Sequence, residues 1–175
     1  MNMSALLEHR NEKDQLIKST NSPFPTVMRE KFSGLNYYAP TETFYFEVEI
    51  EEYTPKTEIE IDKTDNQILT AKRFGRAYLK VEEQTVPVEI FEYEGNLAII
   101  FKDQTSEKET YAGGRSVPVV PTQNGTYIID FNLATNPMCA YMSGYSCPIP
   151  PPENHLEIAI TAGEKMPVGD WVMLA

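Results

Sequence analysis

Between Thr43 and Glu51 the chain alternates without a break, with Phe44, Phe46, Val48 and Ile50 on one parity and Tyr45, Glu47, Glu49 and Glu51 on the other. Successive side chains of an extended strand point to opposite faces, so this run buries one face and wets the other. Similar runs recur at 58–61, 67–72, 76–81, 86–93, 97–101, 109–111, 116–120, 126–131 and 156–161. Turn-forming groups separate them: Thr64-Asp65-Asn66, Glu82-Glu83-Gln84, Glu94-Gly95-Asn96, Gly113-Gly114 and Asn124-Gly125. No helix-length segment lies between these runs, which excludes parallel crossovers and leaves a largely antiparallel sheet. The expected fold is mainly β, an antiparallel barrel or bent sandwich with one or two N-terminal helices. Pro87 and Pro118 fall inside strand-like runs, where a residue lacking an amide proton is tolerated only at an edge or a bulge.

The first 35 residues read differently. Ser4 can cap a helix through about Ser19, with Leu6, Leu7, Leu16 and Ile17 roughly on one face and charge elsewhere. So thin an apolar stripe places the helix on the surface. Ser22-Pro23-Phe24-Pro25 stops it, and Thr26 or Pro25 can open a short second helix ended by Gly34. The chain divides as a single domain, 1–175, with a helical segment at 1–35, a β domain at 43–161 and a tail at 162–175. The tail, from Met166 through Trp171 to Ala175, is mildly apolar and is expected to pack on the barrel or on a second subunit, as in a homodimer.

Composition narrows the function classes. A formal net charge of −11 repels a nucleic-acid backbone and an anionic lipid surface, and the longest apolar runs are too short to cross a bilayer. Glu8, Arg10, Glu12, Lys13 and Asp14 interrupt the stretch where a secretory signal needs an apolar core, which points to the cytoplasm. The two cysteines, Cys139 and Cys147, are too few for a disulfide scaffold, and a reducing compartment would leave both as free thiols. With His155 they form a weak metal candidate, because structural zinc sites favour closer spacing.

Chemistry concentrates in two places. Around the turn at 103–115, Asp103, Thr105, Glu109 and Tyr111 precede Arg115. An arginine there either joins a buried carboxylate network or stands free to grip an anion in bidentate fashion. Along the loop at 130–154, Asp130, Asn132 and Asn136 can hold an irregular path by bonding nearby backbone, while Tyr141 and Tyr145 offer rings with polar tips. Glu153 and Asn154 close that loop after a proline-rich stretch. No catalytic group and no cofactor can be named from these residues. A cysteine–histidine dyad would require a neighbourhood that the sequence does not fix.

The segment from Asp103 to Arg115, the loop from Asp130 to Asn154 and the run Ala162-Gly163-Glu164-Lys165 together resemble the bacterial and archaeal proteins grouped as domain of unknown function 1684. The likeness extends back to Lys13-Asp14, Ser22-Pro23 and Phe32-Ser33-Gly34-Leu35. It implies no reaction, cofactor or partner, and it marks as characteristic many of the polar residues just named, together with Thr110, Cys139 and Cys147. Three positions depart from the pattern: Glu107 where it has glycine, Thr135 where it has an aromatic, and His155 where it has arginine. The reading these observations favour is a small-molecule-binding β domain whose polar cleft lies between the 103–115 turn and the 130–154 loop, with Arg115 holding an anionic ligand. That reading requires an unpaired Arg115. An enzyme working through carboxylates among Asp103, Glu109, Asp130 and Glu153, with or without a metal or Cys139, requires two of them to converge on one void. A structural or interaction protein requires a filled interior plugged by the loop and an exposed apolar patch.

Overall fold

The computed structural model describes residues 1–173. In it the alternating run after Thr43 forms two short strands, β1 (Tyr45–Val48) and β2 (Glu51–Glu52). The rest of the sheet comprises β3 (Glu58–Asp62), β4 (Ile68–Val81), β5 (Gln84–Tyr93), β6 (Asn96–Phe101), β7 (Arg115–Pro121) and β8 (Tyr127–Asp130). Strand order is β1-β8-β7-β6-β5-β4-β2, with β3 also on β4, and every pairing is antiparallel. β1 pairs with β8 and β2 with β4, yet only Glu49 and Ile50 separate them in the chain. One short passage therefore spans both ends of the strand order, and the sheet curls into a half-barrel.

The runs at 67–72 and 76–81 are one strand, β4, whose register shifts between Arg73 and Gly75. At Gly75 a Cβ would lie 2.6 Å from the Glu51 carbonyl oxygen, so glycine is what lets β2 approach. Both strand prolines lie where their strand has a neighbour on one side only. Pro87 pairs with Tyr78 beyond the stretch that β6 reaches, and Pro118 pairs with Ala98 just before β8 joins at Val119.

Inward-facing Ala77, Leu79, Val88, Ile90, Ile99, Val117, Ile129 and Phe131 fill the concave side. The run at 156–161 does not form a strand, although its alternation is meaningful, since Leu156, Ile158 and Ile160 are buried in that same core. It is held by single bonds such as Leu156 N to Lys102 O (2.8 Å) and Gln104 N to Ile158 O (2.9 Å). This segment fills the interior together with Phe131 and Ala134 at the start of the 130–154 loop, while the 137–148 part of that loop crosses the outer face. Residues 109–111 belong to a turn rather than a strand.

Among the described residues there are two α-helices, α1 (Met3–Lys18) and α2 (Thr26–Lys31). The α1 cap is Asn2, whose side chain accepts from Ala5 N at 3.1 Å, and not Ser4. The expected apolar face is also corrected. Leu7 and Leu16 are 51% and 55% exposed, and the face turned to the protein carries Leu6, Arg10, Lys13, Asp14 and Ile17. α2 ends at Lys31, with Phe32 as its cap residue ahead of Gly34. A second apolar cluster joins Ile17, Phe24, Met28 and Phe32 to Ala140, Tyr141 and Trp171. Trp171 is 1% exposed and packs within its own chain, and the last two tail residues, Leu174 and Ala175, lie outside the described residues. β3 has no strand on its outer side among the described residues; there it bears Glu58, Glu60 and Asp62, and the chain at Ile149 meets only its far end, donating N–H to Asp62 O at 2.8 Å.

Candidate functional site

The turn after β6 is built around Asp103. Its Oδ1 accepts from Thr105 N at 2.7 Å and from the Thr105 hydroxyl, which also meets Thr110 Oγ1 at 2.8 Å. Its Oδ2 accepts from Arg115 Nη2 at 2.7 Å, and both side chains of this ion pair are 1% exposed. The other three Nη protons go to the carbonyls of Ala162 (2.5 Å), Glu164 (3.0 Å) and Ile160 (2.9 Å). Arg115 is therefore not free for an anion. Its planar fork ties the C-terminal segment to the sheet, the use for which a buried arginine is best suited.

A second knot forms on Glu164, which is fully buried. Lys13 Nζ donates to Oε1 at 2.6 Å, while Asn136 N–H and the Tyr141 hydroxyl donate to Oε2 at 2.8 and 2.5 Å. Asn136 Nδ2 donates in turn to Lys165 O at 2.9 Å. Burial first, and the Glu164 charge second, push the Tyr37 and Tyr141 phenols well above the ordinary tyrosine value. α1 is thus docked through charge and hydrogen bonds as well as Leu6 and Ile17, because Arg10 Nη1 also donates to Tyr38 O at 3.0 Å and Asp14 accepts from Leu35 N at 3.3 Å.

The other expected polar residues have local partners. Asp130 Oδ1 accepts from Asn132 N and Nδ2 at 2.9 and 2.7 Å, and Asn132 pairs through its amide with both the N–H and the carbonyl of Thr41. Asn154 stands between β5 and β6 where their ladder has parted. Its Oδ1 accepts from Glu89 N at 2.8 Å, and its Nδ2 donates to Glu89 O and Ile100 O at 2.9 and 3.1 Å. Glu153 bonds Arg73 at 2.5 Å; partial burial disfavours its charge, but a hydrogen bond from its own backbone N–H, and then Arg73, hold its carboxyl below the usual range. Next to it the buried Glu89 meets Arg76 Nε at 2.6 Å and the Tyr53 hydroxyl at 2.9 Å. Glu109 faces Lys165 at 3.6 Å, and Tyr111 packs half-buried on the second apolar cluster. Asp103, Glu109, Asp130 and Glu153 thus engage four different partners, and no two of these carboxylates share one.

Cys139 and Cys147 are joined as a disulfide, with Cα atoms 6.4 Å apart, which corrects the expectation of free thiols. Chain geometry brings the pairing about. A 3-10 turn at Met138–Ala140 docks on the second cluster, while residues 147–149 run back beside the β3–β4 turn. A disulfide offers no thiolate to a metal, and His155 Nε2 lies 3.0 Å from Pro150 O. Among the described residues no three His, Cys, Asp or Glu side chains gather as a metal-holding group.

Where the loop crosses the outer face of the sheet it leaves a cavity of about 290 Å³. Tyr93, Ile100, Pro137, Met138 and Pro148 give it apolar walls, and Gly113 to Ser116 and Tyr145 to Cys147 complete the lining. Of the polar residues that the sequence marks in these two segments, Arg115 and Tyr145 border it, and the Arg115 guanidinium is committed elsewhere. The hydroxyls of Tyr93, Ser116 and Tyr145 have no hydrogen-bond partner among the described residues. Tyr145 was visible in the sequence as a loop aromatic. Tyr93 and Ser116 read only as strand residues, Glu89 only as an ordinary acidic position, and Glu164 only as part of the 162–165 run that carries the family resemblance.

A family model described as a protein of unknown function, DUF1684, matches residues 30–165. The fold is similar to the solution NMR structure of an uncharacterized protein from Haloarcula marismortui, with a TM-score of 0.71 and 28% sequence identity over 93% of this chain and 92% of that one. No curated protein matches the chain.

Proposed function

Since the chain belongs to the DUF1684 family, whose description assigns no activity, we propose its function from its own cavity: binding of a small, uncharged, partly aromatic molecule between the 113–116 turn and the 137–148 loop. The observation that carries this reading is the predominantly apolar lining, from Tyr93, Ile100, Pro137, Met138 and Pro148, interrupted by a few hydroxyl-bearing residues, Tyr93, Ser116 and Tyr145 among them. Apolar walls supply affinity and a few placed polar groups set orientation, which is the usual make-up of a ligand pocket. A volume of about 290 Å³ suits a one- or two-ring compound. The ligand is neutral rather than anionic in this proposal, because the buried Arg115 already spends its four Nη protons on Asp103 and three carbonyls.

The cytoplasm remains the proposed compartment, supported by a charged N-terminal helix that is part of the fold through Lys13 and Glu164. No described helix is long and apolar enough to cross a membrane, and the net charge of −11 disfavours nucleic acid as a partner. A second reading, a homodimer or protein-binding face, is favoured by one observation: Met3 and Leu7, one turn apart on α1, are 44% and 51% exposed.

Titration of the amide NMR spectrum with indole and with p-cresol tests the pocket. Shifts are expected at Tyr93, Gly113, Gly114, Ser116 and Tyr145, with Ser116→Leu weakening them at least tenfold. If neither compound perturbs those residues at millimolar concentration, or benzoate does so in preference, the neutral-ligand reading fails.

A further inference from the structure

We infer, building on that pocket, that the Cys139–Cys147 disulfide is a redox-sensitive latch that orders one of its walls. The two sulfurs join elements with different attachments. Cys139 lies on the 3-10 turn that Ala140 and Tyr141 fix to the second apolar cluster. Cys147 is fixed to the β3–β4 turn, accepting from Thr64 N through its carbonyl at 3.0 Å and donating its N–H to Thr64 Oγ1 at 3.1 Å. Met138, Tyr145, Ser146 and Cys147 all line the cavity, so the bond spans its wall.

Between the sulfurs, Ala140 to Ser143 is held by the second cluster and by backbone bonds to Met173 (Met173 N to Tyr141 O at 2.8 Å, Ser143 N to Met173 O at 3.3 Å), but 144–146 has little else to hold it. Ser143, Gly144 and Tyr145 are exposed, and a Cβ at Gly144 would meet nothing within 4 Å. Tyr145 makes one main-chain contact, its carbonyl accepting from Thr64 Oγ1 at 3.2 Å, and Ser146 reaches Asp65 Oδ1 at 2.5 Å. Opening the disulfide would leave the Tyr145 wall hanging on those side-chain bonds, and loops with so few buried contacts open readily.

The two sulfurs also differ in access, which sets the direction of attack. Cys147 is 5% exposed and Cys139 is half-buried. A thiolate of an external dithiol attacks Cys139 Sγ, forming a mixed disulfide as the Cys139–Cys147 bond breaks. Cys147 departs as a thiolate and takes up a proton. The second thiol of the reductant then attacks its own sulfur in the mixed disulfide, releasing Cys139 and leaving the reductant oxidised by two electrons. The reduced protein carries the Cys147 thiol on the cavity lining and a loosened Tyr145 above it. The reverse exchange with an oxidised dithiol restores the latch.

Hydrogen exchange measured by mass spectrometry on the full chain, oxidised and after dithiothreitol, reads the latch without any ligand. Residues 142–147 should exchange at least tenfold faster when reduced while β4 to β7 stay protected, and a Cys139→Ser, Cys147→Ser double variant should match the reduced form. Equal exchange in both states overturns the latch, and so does a rise spread through β4 to β7, which would make the bond a global staple. Indole titration on the same samples should show at least fivefold weaker binding after reduction. Failure of indole to bind either form removes the ligand reading, while the local exchange change still decides the latch.

Discussion

At the scale of single residues, Glu107 shows a side chain at odds with its backbone. Its φ is +70°, a left-handed conformation that L-residues with a Cβ enter at a cost of roughly 1–2 kcal/mol and glycine enters freely. Its N–H closes the turn onto Thr110 O at 3.1 Å, and its side chain is exposed. The resemblance to family proteins places glycine here, and the turn geometry supplies the reason. Glu107→Gly is expected to raise stability by about 0.5–1 kcal/mol and the melting temperature by roughly 1–4 °C, read by calorimetry. Other residues were legible only as polar. Asp103 and Arg115 could be recognised as partners from their place around one turn, but the three carbonyls that complete Arg115 come from 160–164, and nothing local in the sequence announces a contact with so distant a segment.

At the scale of elements, Asn154 replaces a missing stretch of ladder. β5 and β6 pair only from Phe91 to Tyr93 with Asn96 to Ala98, and beyond that point the Asn154 amide presents a donor and an acceptor much as a peptide unit would. Asn154→Ala would strand one N–H and two carbonyls in a fully buried place, at about 3 kcal/mol and roughly 6–12 °C of melting temperature. Asn154→Asp should rescue little, since it keeps the acceptor and loses both donors. A thermal melt of the two variants decides this, and a drop below about 1 kcal/mol in both would dismiss the bridging role. Strand positions were readable because period-two burial leaves its mark directly in the residue order, from Phe44 to Ile160. What the residue order hid was which alternating runs join a continuous ladder: 156–161 alternates like a strand and makes only single bonds to 102–104, while 67–81 reads as two runs and is one strand. α1 misled for a related reason, since Arg10 and Lys13 turn inward to Glu164 and backbone carbonyls whereas Leu7 and Leu16 face out.

At the scale of the whole molecule, the Glu164 knot gives stability an alkaline limit. Tyr37 and Tyr141 are held protonated by burial and by the Glu164 charge, whereas in the unfolded chain they ionise near pH 10. A group whose folded pKa is raised contributes fully below its unfolded value and loses that contribution as pH climbs towards the folded one. Stability should therefore fall above about pH 10, each such phenol adding up to about 1.4 kcal/mol per pH unit. Urea midpoints from pH 8 to 11 should decline less steeply in Tyr141→Phe than in the parent, and parallel declines would show that this hydroxyl is not held protonated. The outer side of β3 bears on how one molecule meets another. An unpaired strand edge invites a neighbour's backbone, and Glu58, Glu60 and Asp62 line this one. Two copies drawing together along it bring like carboxylates face to face, a repulsion that reaches about 8–10 Å at ordinary ionic strength. Crowded solutions of this protein are accordingly kept dispersed by the strand most able to knit them together, and that safeguard fades as acid approaches the isoelectric point near 4.6.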